Sequence, residues 1–133
     1  MTPKKTVLVI DDDADFQASV RSLLEAEGYQ VVPALSGKEG LHKLLETRPH
    51  VVVLDIMMES TTEGYGVTES IKYGDEYAEV RDVPILMVSS IQESPDERFP
   101  RSPDVEMIRP DRYLTKPLDI PRFLEIVATA ARR

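Results

Sequence analysis

The sequence predicts an α/β protein: a doubly wound, five-stranded parallel sheet with helices on both faces. Three observations carry that expectation. Short aliphatic runs, Thr6-Val7-Leu8-Val9-Ile10 and Val51-Val52-Val53-Leu54 foremost, are apolar without alternation, as strands buried on both faces are. Segments with helical spacing lie between the runs, so strands and helices alternate along the chain. The runs also end on polar residues: Asp11 and Asp12, Asp55, Ser89 and Lys116. In open α/β sheets, ligands bind beyond the carboxyl ends of the strands.

Composition narrows the function classes. The 133 residues suit one domain with a sizeable core, and 41% apolar with 30% charged residues is globular usage. With no cysteine, disulfides and thiolate metal sites are ruled out. Met1-Thr2-Pro3-Lys4-Lys5 leads into only five strand-like residues, too few for a signal peptide or membrane span, so a cytoplasmic location is expected. A net charge of −8 argues against direct nucleic-acid binding, which needs a basic footprint, and favours cationic partners such as metal ions.

Taken in order, the first strand is Thr6–Ile10, followed by a helix in which Phe16, Val20, Leu23 and Leu24 are spaced for one face. Asp13 reads as its N-cap and Gly28 as its C-terminal glycine. Gln30 to Ala34 is a short strand. Ser36-Gly37-Lys38-Glu39 has the form of a capping box, opening a helix that turns Leu41, Leu44 and Leu45 inward. Pro49 ends it before the central strand, which closes at Asp55. A polar loop from Glu59 to Gly66, a short helix over Val67 to Tyr73 stopped by Gly74, and an acidic connection from Asp75 to Asp82 come next. Val83 to Val88 is the fourth strand and Tyr113 to Thr115 the fifth. Asp119 caps a last helix with Ile120, Phe123, Leu124, Val127, Ala130 and Ala131 on one face. The span Ile91 to Asp111 carries Pro95, Pro100, Pro103 and Pro110, so the crossover helix there is expected to be short, irregular or missing.

The natural strand order is 2-1-3-4-5, the flavodoxin-like arrangement, with strands one and three adjacent at the switch point. That order brings Asp11, Asp12 and Asp55 to one crevice and carries Ser89 and Lys116 to its rim. Carboxylates so close repel and need neutralising, and an all-oxygen set suits Mg²⁺. Lys116 supplies a point charge and Ser89 a hydrogen-bond donor. An ionised Asp in such company is arranged to attack phosphorus and become an aspartyl phosphate. His42 and His50 fit no ligand pattern.

The segments Val7-Leu-Val-Ile-Asp11-Asp12, Val52-Val-Leu-Asp55-Ile-Met-Met58, Pro84-Ile-Leu-Met-Val-Ser89-Ser90 and Tyr113-Leu-Thr-Lys116-Pro117 together resemble the receiver domain of bacterial two-component response regulators. The resemblance covers essentially the whole chain. It implies that Asp55 accepts a phosphoryl group from the phosphohistidine of a sensor kinase or phosphotransfer protein. It implies that Asp11, Asp12, Asp55 and the backbone carbonyl of Met57 hold Mg²⁺, and that Ser89 and Lys116 bind the phosphoryl group. A switch through Ser89 and Tyr113 would then be read by a downstream protein. The Lys116-Pro117 bond is expected to be cis, as is usual in such domains. With one helix after the fifth strand, the chain reads as a single receiver domain, residues 1–133, with no output domain. It would be a signalling protein and not a metabolic enzyme.

The chain also departs from that pattern. Glu59 stands where a proline is common in that family, and the proline-rich span falls where such domains usually have their fourth helix. These departures support a second reading, a phosphorylation-independent adaptor on the same fold. The resemblance implies that Met57 and Ile91 occupy positions which, in that family, influence water attack on the phosphoryl group; both are apolar, so slow autodephosphorylation is expected.

Overall fold

The computed structural model describes residues 4–55, 63–89, 112–115 and 118–132. Five strands form one sheet: β1 (Thr6–Ile10), β2 (Gln30–Ala34), β3 (Val51–Asp55), β4 (Ile85–Ser89) and β5 (Arg112–Thr115). Their order is β2-β1-β3-β4-β5 and every pairing is parallel, as expected from the alternating pattern. Helices α1 (Ala14–Ala26), α2 (Gly37–Thr47), α3 (Glu63–Tyr73) and α4 (Ile120–Ala131) connect or follow the strands. The proline-rich span 91–111 lies outside the described residues.

The unbroken apolar runs are explained by two cores. Successive strand side chains point to opposite faces. Leu8, Ile10, Val52, Leu54, Ile85 and Met87 pack on one face with Leu44 of α2 and Val67 and Ile71 of α3. Val7, Val9, Val51, Val53, Leu86 and Val88 pack on the other with Val20 and Leu24 of α1 and Phe123 and Val127 of α4. Lys5 ties the first strand to the last helix: its Nζ donates to the carbonyl of Ala131 at 2.5 Å, a cation at a helix C-terminus.

Helix ends follow local chemistry. The Asp13 carboxylate accepts from the backbone N–H groups of Asp15 and Phe16, Ser36 accepts from Glu39, and Asp119 accepts from Arg122. Gly28, at φ 92°, takes the left-handed conformation that ends α1. In β2, Gln30 N–H donates to the Lys5 carbonyl and the Ala34 carbonyl accepts from Asp11 N–H, so Gln30, Val32 and Ala34 turn their backbone groups toward β1. Val31 and Pro33 therefore turn theirs to the open side.

Several local expectations are corrected. Leu45 is 40% exposed and Ile120 44% exposed. The buried stripe of α2 runs through Gly37, Gly40 and Leu44, so Leu45 falls beside it. In α4, Ile126 takes a buried place in the stripe that Ile120 does not. Helix α3 begins at Glu63, four residues before Val67, despite Gly64 and Gly66. Strand β4 starts at Ile85, because Pro84 offers the ladder only its carbonyl, which accepts from Val52 N–H at 2.9 Å.

The acidic connection is not merely solvated. Asp75–Val80 forms two 3-10 turns kinked at Tyr77 (φ −108°, ψ 15°); Val80 is buried and Tyr77 packs against the core. Burial first, then the Glu76 carboxylate, hold the Tyr77 phenol above its ordinary range. The unfolded chain therefore ionises this phenol before the folded chain does. The contribution is fully present below about pH 10 and is lost as pH rises through the folded value. Tyr77→Phe is expected to flatten the fall of melting temperature with pH in that alkaline range. Identical slopes for the variant and the parent would refute this.

Candidate functional site

The parallel register builds the site. Ile10 lies opposite Leu54, so the next residues along, Asp11 and Asp55, leave adjacent strands side by side. Asp55 lies opposite Val88, so Ser89 stands one step beyond it on β4. Ser89 in turn pairs with Thr115 of β5, and Tyr113 with Met87. One end of the sheet thus collects the carboxyl termini of its strands, as a doubly wound topology requires.

At that end the carboxylates of Asp11, Asp12 and Asp55 offer oxygens that all lie within 4.8 Å of one another. Asp11 is 1% exposed and Asp55 6% exposed, whereas Asp12 faces solvent. Two of three negative groups are therefore drawn into the crevice and one stays at its mouth. The donors are hard oxygens, with no nitrogen or sulfur among them, and such a set fits Mg²⁺. A bound cation there would neutralise repulsion among the carboxylates.

Asp11 is held from several sides. Its N–H donates to the Ala34 carbonyl at 3.0 Å, and its Oδ1 accepts from Asp13 N–H at 2.8 Å. Asp13 then caps α1 through its own Oδ1, at 2.9 Å from Asp15 N and 3.2 Å from Phe16 N. The strand end, the acidic turn and the helix start are thus one hydrogen-bonded unit.

Of the residues expected at the site, Asp11, Asp12 and Asp55 are brought together. Ser89 and Tyr113 are placed by their strands. Met57, Glu59, Ile91, Lys116 and Pro117 lie outside the described residues. One residue escaped the sequence reading. Gln17 is buried at 7% exposure and donates from Nε2 to the carbonyls of Val9, Asp11 and Ala34 at 2.9, 3.0 and 2.9 Å. The signal was available: Gln17 stands with Val20 and Leu24 at i, i+3 and i+7, a polar residue on a buried stripe.

An acidic crevice stands at the carboxyl end of a five-stranded 2-1-3-4-5 sheet, and the pattern of the response regulator receiver domain matches residues 7–128. The chain belongs to that family, the receiver domains of two-component signalling. It is similar to the polar-differentiation response regulator DivK of Brucella anthropi, with 30% identity over 123 residues, 92% of this chain and 93% of the relative. DivK of Brucella ovis is 31% identical over the same shares. Among solved structures, the Vibrio cholerae chemotaxis protein CheY4 superposes with a TM-score of 0.80 at 22% identity, covering 96% of this chain and 99% of its own. A CheY-like receiver domain protein from Methanospirillum hungatei gives 0.77 at 24% identity, covering 98% and 95%. These structural likenesses speak to the fold. Among the described residues, no helix is long and apolar enough to cross a membrane.

Proposed function

We propose that this chain is a phosphorylatable signalling switch working in the cytoplasm. The observation that carries the reading is the gathering of the Asp11, Asp12 and Asp55 carboxylates within 4.8 Å in a chain of the receiver family. Asp55 is the nucleophile: a carboxylate oxygen forms a bond to phosphorus as the bond to the donor's leaving group breaks. The donor is the phosphohistidine of a sensor kinase or phosphotransfer protein, and the imidazole leaves with the electron pair. Asp11 and Asp12, with Asp55 and the Met57 carbonyl, would hold Mg²⁺, which supplies charge neutralisation at the equatorial phosphoryl oxygens. Ser89 donates a hydrogen bond to the phosphoryl group and Lys116 pairs with its charge. Ser89 and Tyr113 pass the change to the surface, where a downstream protein reads it.

The deciding experiment is intact mass after incubation with acetyl phosphate, with and without Mg²⁺, for the parent and Asp55→Asn. The expected result is a Mg²⁺-dependent gain of one phosphoryl group, absent in the variant. No gain in any condition would overturn the reading in favour of a phosphorylation-independent adaptor. The same mass assay, followed in time after donor removal, measures the lifetime of the modification. Met57 and Ile91 are apolar and orient no water for attack, so persistence for minutes or longer is expected; loss within seconds would contradict this.

A further inference from the structure

We propose that Gln17 is a positioning residue: its buried amide fixes the strand end that carries Asp11, and thereby sets the affinity of the acidic cluster for a divalent cation. The inference rests on the Mg²⁺ site of the proposed function and assigns a part of it that the acidic motif does not contain.

The amide nitrogen of Gln17 faces three carbonyls, those of Val9, Asp11 and Ala34, at 2.9, 3.0 and 2.9 Å. It has two N–H bonds for three acceptors, so at least one bond is shared. Val9 lies on β1 and Ala34 on β2, and Asp11 is the first residue past β1, so the three carbonyls flank the point where the chain leaves that strand. Ala34 already accepts from Asp11 N–H, so Gln17 and the Asp11 backbone meet on one oxygen. Asp11 is therefore gripped at its N–H by β2, at its carbonyl by α1, and at its carboxylate by the Asp13 N–H. Little torsional freedom is left in the residue that would present an oxygen to the cation.

Two features set this apart from ordinary packing. An apolar residue would fill the same stripe position between Asp13 and Val20 with less polar burial. Moreover, Gln17 Oε1 is buried with no hydrogen-bond partner among the described residues. Turning the amide over would aim that oxygen at three carbonyls, so the orientation is forced by the nitrogen's task. The fold carries an unsatisfied acceptor in order to place a donor at the Asp11 turn. Partners that orient a metal ligand commonly tune affinity 10- to 100-fold.

The test is Mg²⁺ titration calorimetry on the full chain, with melting curves taken in parallel. Gln17→Met keeps the length and packing of the side chain and removes the donors. Its Mg²⁺ dissociation constant is expected to rise about 10-fold. Val127→Ala in α4 is the control, a core truncation that lowers stability without touching the Asp11 turn. It is expected to keep the parent's affinity, which separates positioning from general loosening. If Gln17→Met does not fold, Gln17→Asn, which keeps the amide but falls short of the carbonyls, replaces it with the same expectation. Affinity within about twofold of the parent for the Gln17 variant, or an equal loss in Val127→Ala, would overturn the proposal. If the parent itself takes up no Mg²⁺, the functional reading falls and this inference with it; if the parent binds and Gln17→Met binds equally well, only the inference falls.

Discussion

Asp55→Asn is expected to abolish phosphoryl transfer and, in chelator, to melt at a higher temperature than the parent. The first half follows from chemistry: an amide oxygen is a poor nucleophile toward phosphorus, and no other carboxylate closes β3. The second half follows from electrostatics. Asp55 and Asp11 are both buried and share a 4.8 Å cluster with Asp12. Like charges at that range, partly withdrawn from water, repel by about a few kcal/mol per pair before any counter-charge is considered. Asparagine has nearly the same shape and removes one charge from two such pairs. A net gain of about 1–2 kcal/mol, or roughly 3–6 °C, is expected. Mg²⁺ should then separate the proteins in the opposite sense. At ten times its dissociation constant the cation adds about 1.4 kcal/mol to the parent, and much less to the variant. Melting curves in chelator and in Mg²⁺ check both arms. A variant that melts below the parent in chelator would show that the parent's acidic cluster is not under strain.

Gly40→Val is expected to lower stability by about 3 kcal/mol, roughly 9 °C, and to weaken Mg²⁺ binding as well. Glycine in a helix interior costs about 1 kcal/mol relative to alanine, so its presence in α2 needs a reason. A Cβ built there would stand 2.4 Å from Ile10 Cδ1 and 2.7 Å from Cγ1, well inside contact distance. Ile10 is fully buried, so it can make room only by disturbing the core around it. It also directly precedes Asp11, so displacing it disturbs the acidic turn. Adding Ile10→Ala should recover part of the loss, because the atoms in the way are gone; such coupling is usually about 0.5–3 kcal/mol. A Gly40→Val protein melting within about 2 °C of the parent would show that α2 has room to move off the sheet.

Much of this architecture was legible because the strands are buried on both faces. Unbroken runs such as Val51-Val52-Val53-Leu54 have few other homes, and the polar residues that end them mark the crevice. What escaped depends on tertiary contacts. Glycines at 64 and 66 argued for a loop, yet α3 runs through them, and its buried Val67 and Ile71 hold it on the sheet. The acidic Asp75–Val80 run hid two anchors, Tyr77 and Val80, whose burial comes from the core beneath. Leu45 looked as suitable for the interior as Leu44; only the close approach at Gly40 decides which side of α2 faces in. Gln17 is hidden because polar residues on helices are usually solvated, and its three carbonyl partners come from β1, β2 and the turn that leaves β1.

Pro33 gives the sheet a boundary. β2 is the outermost strand on its side, and an outermost strand is open to hydrogen bonding by a stranger. Of the two residues whose backbone turns outward there, one is proline and offers no N–H. A second copy of this chain, or an extended peptide, finds a single outward donor along β2, that of Val31. Strand addition along this flank therefore forfeits a ladder bond, and the proline guards the protein there against edge-to-edge pairing.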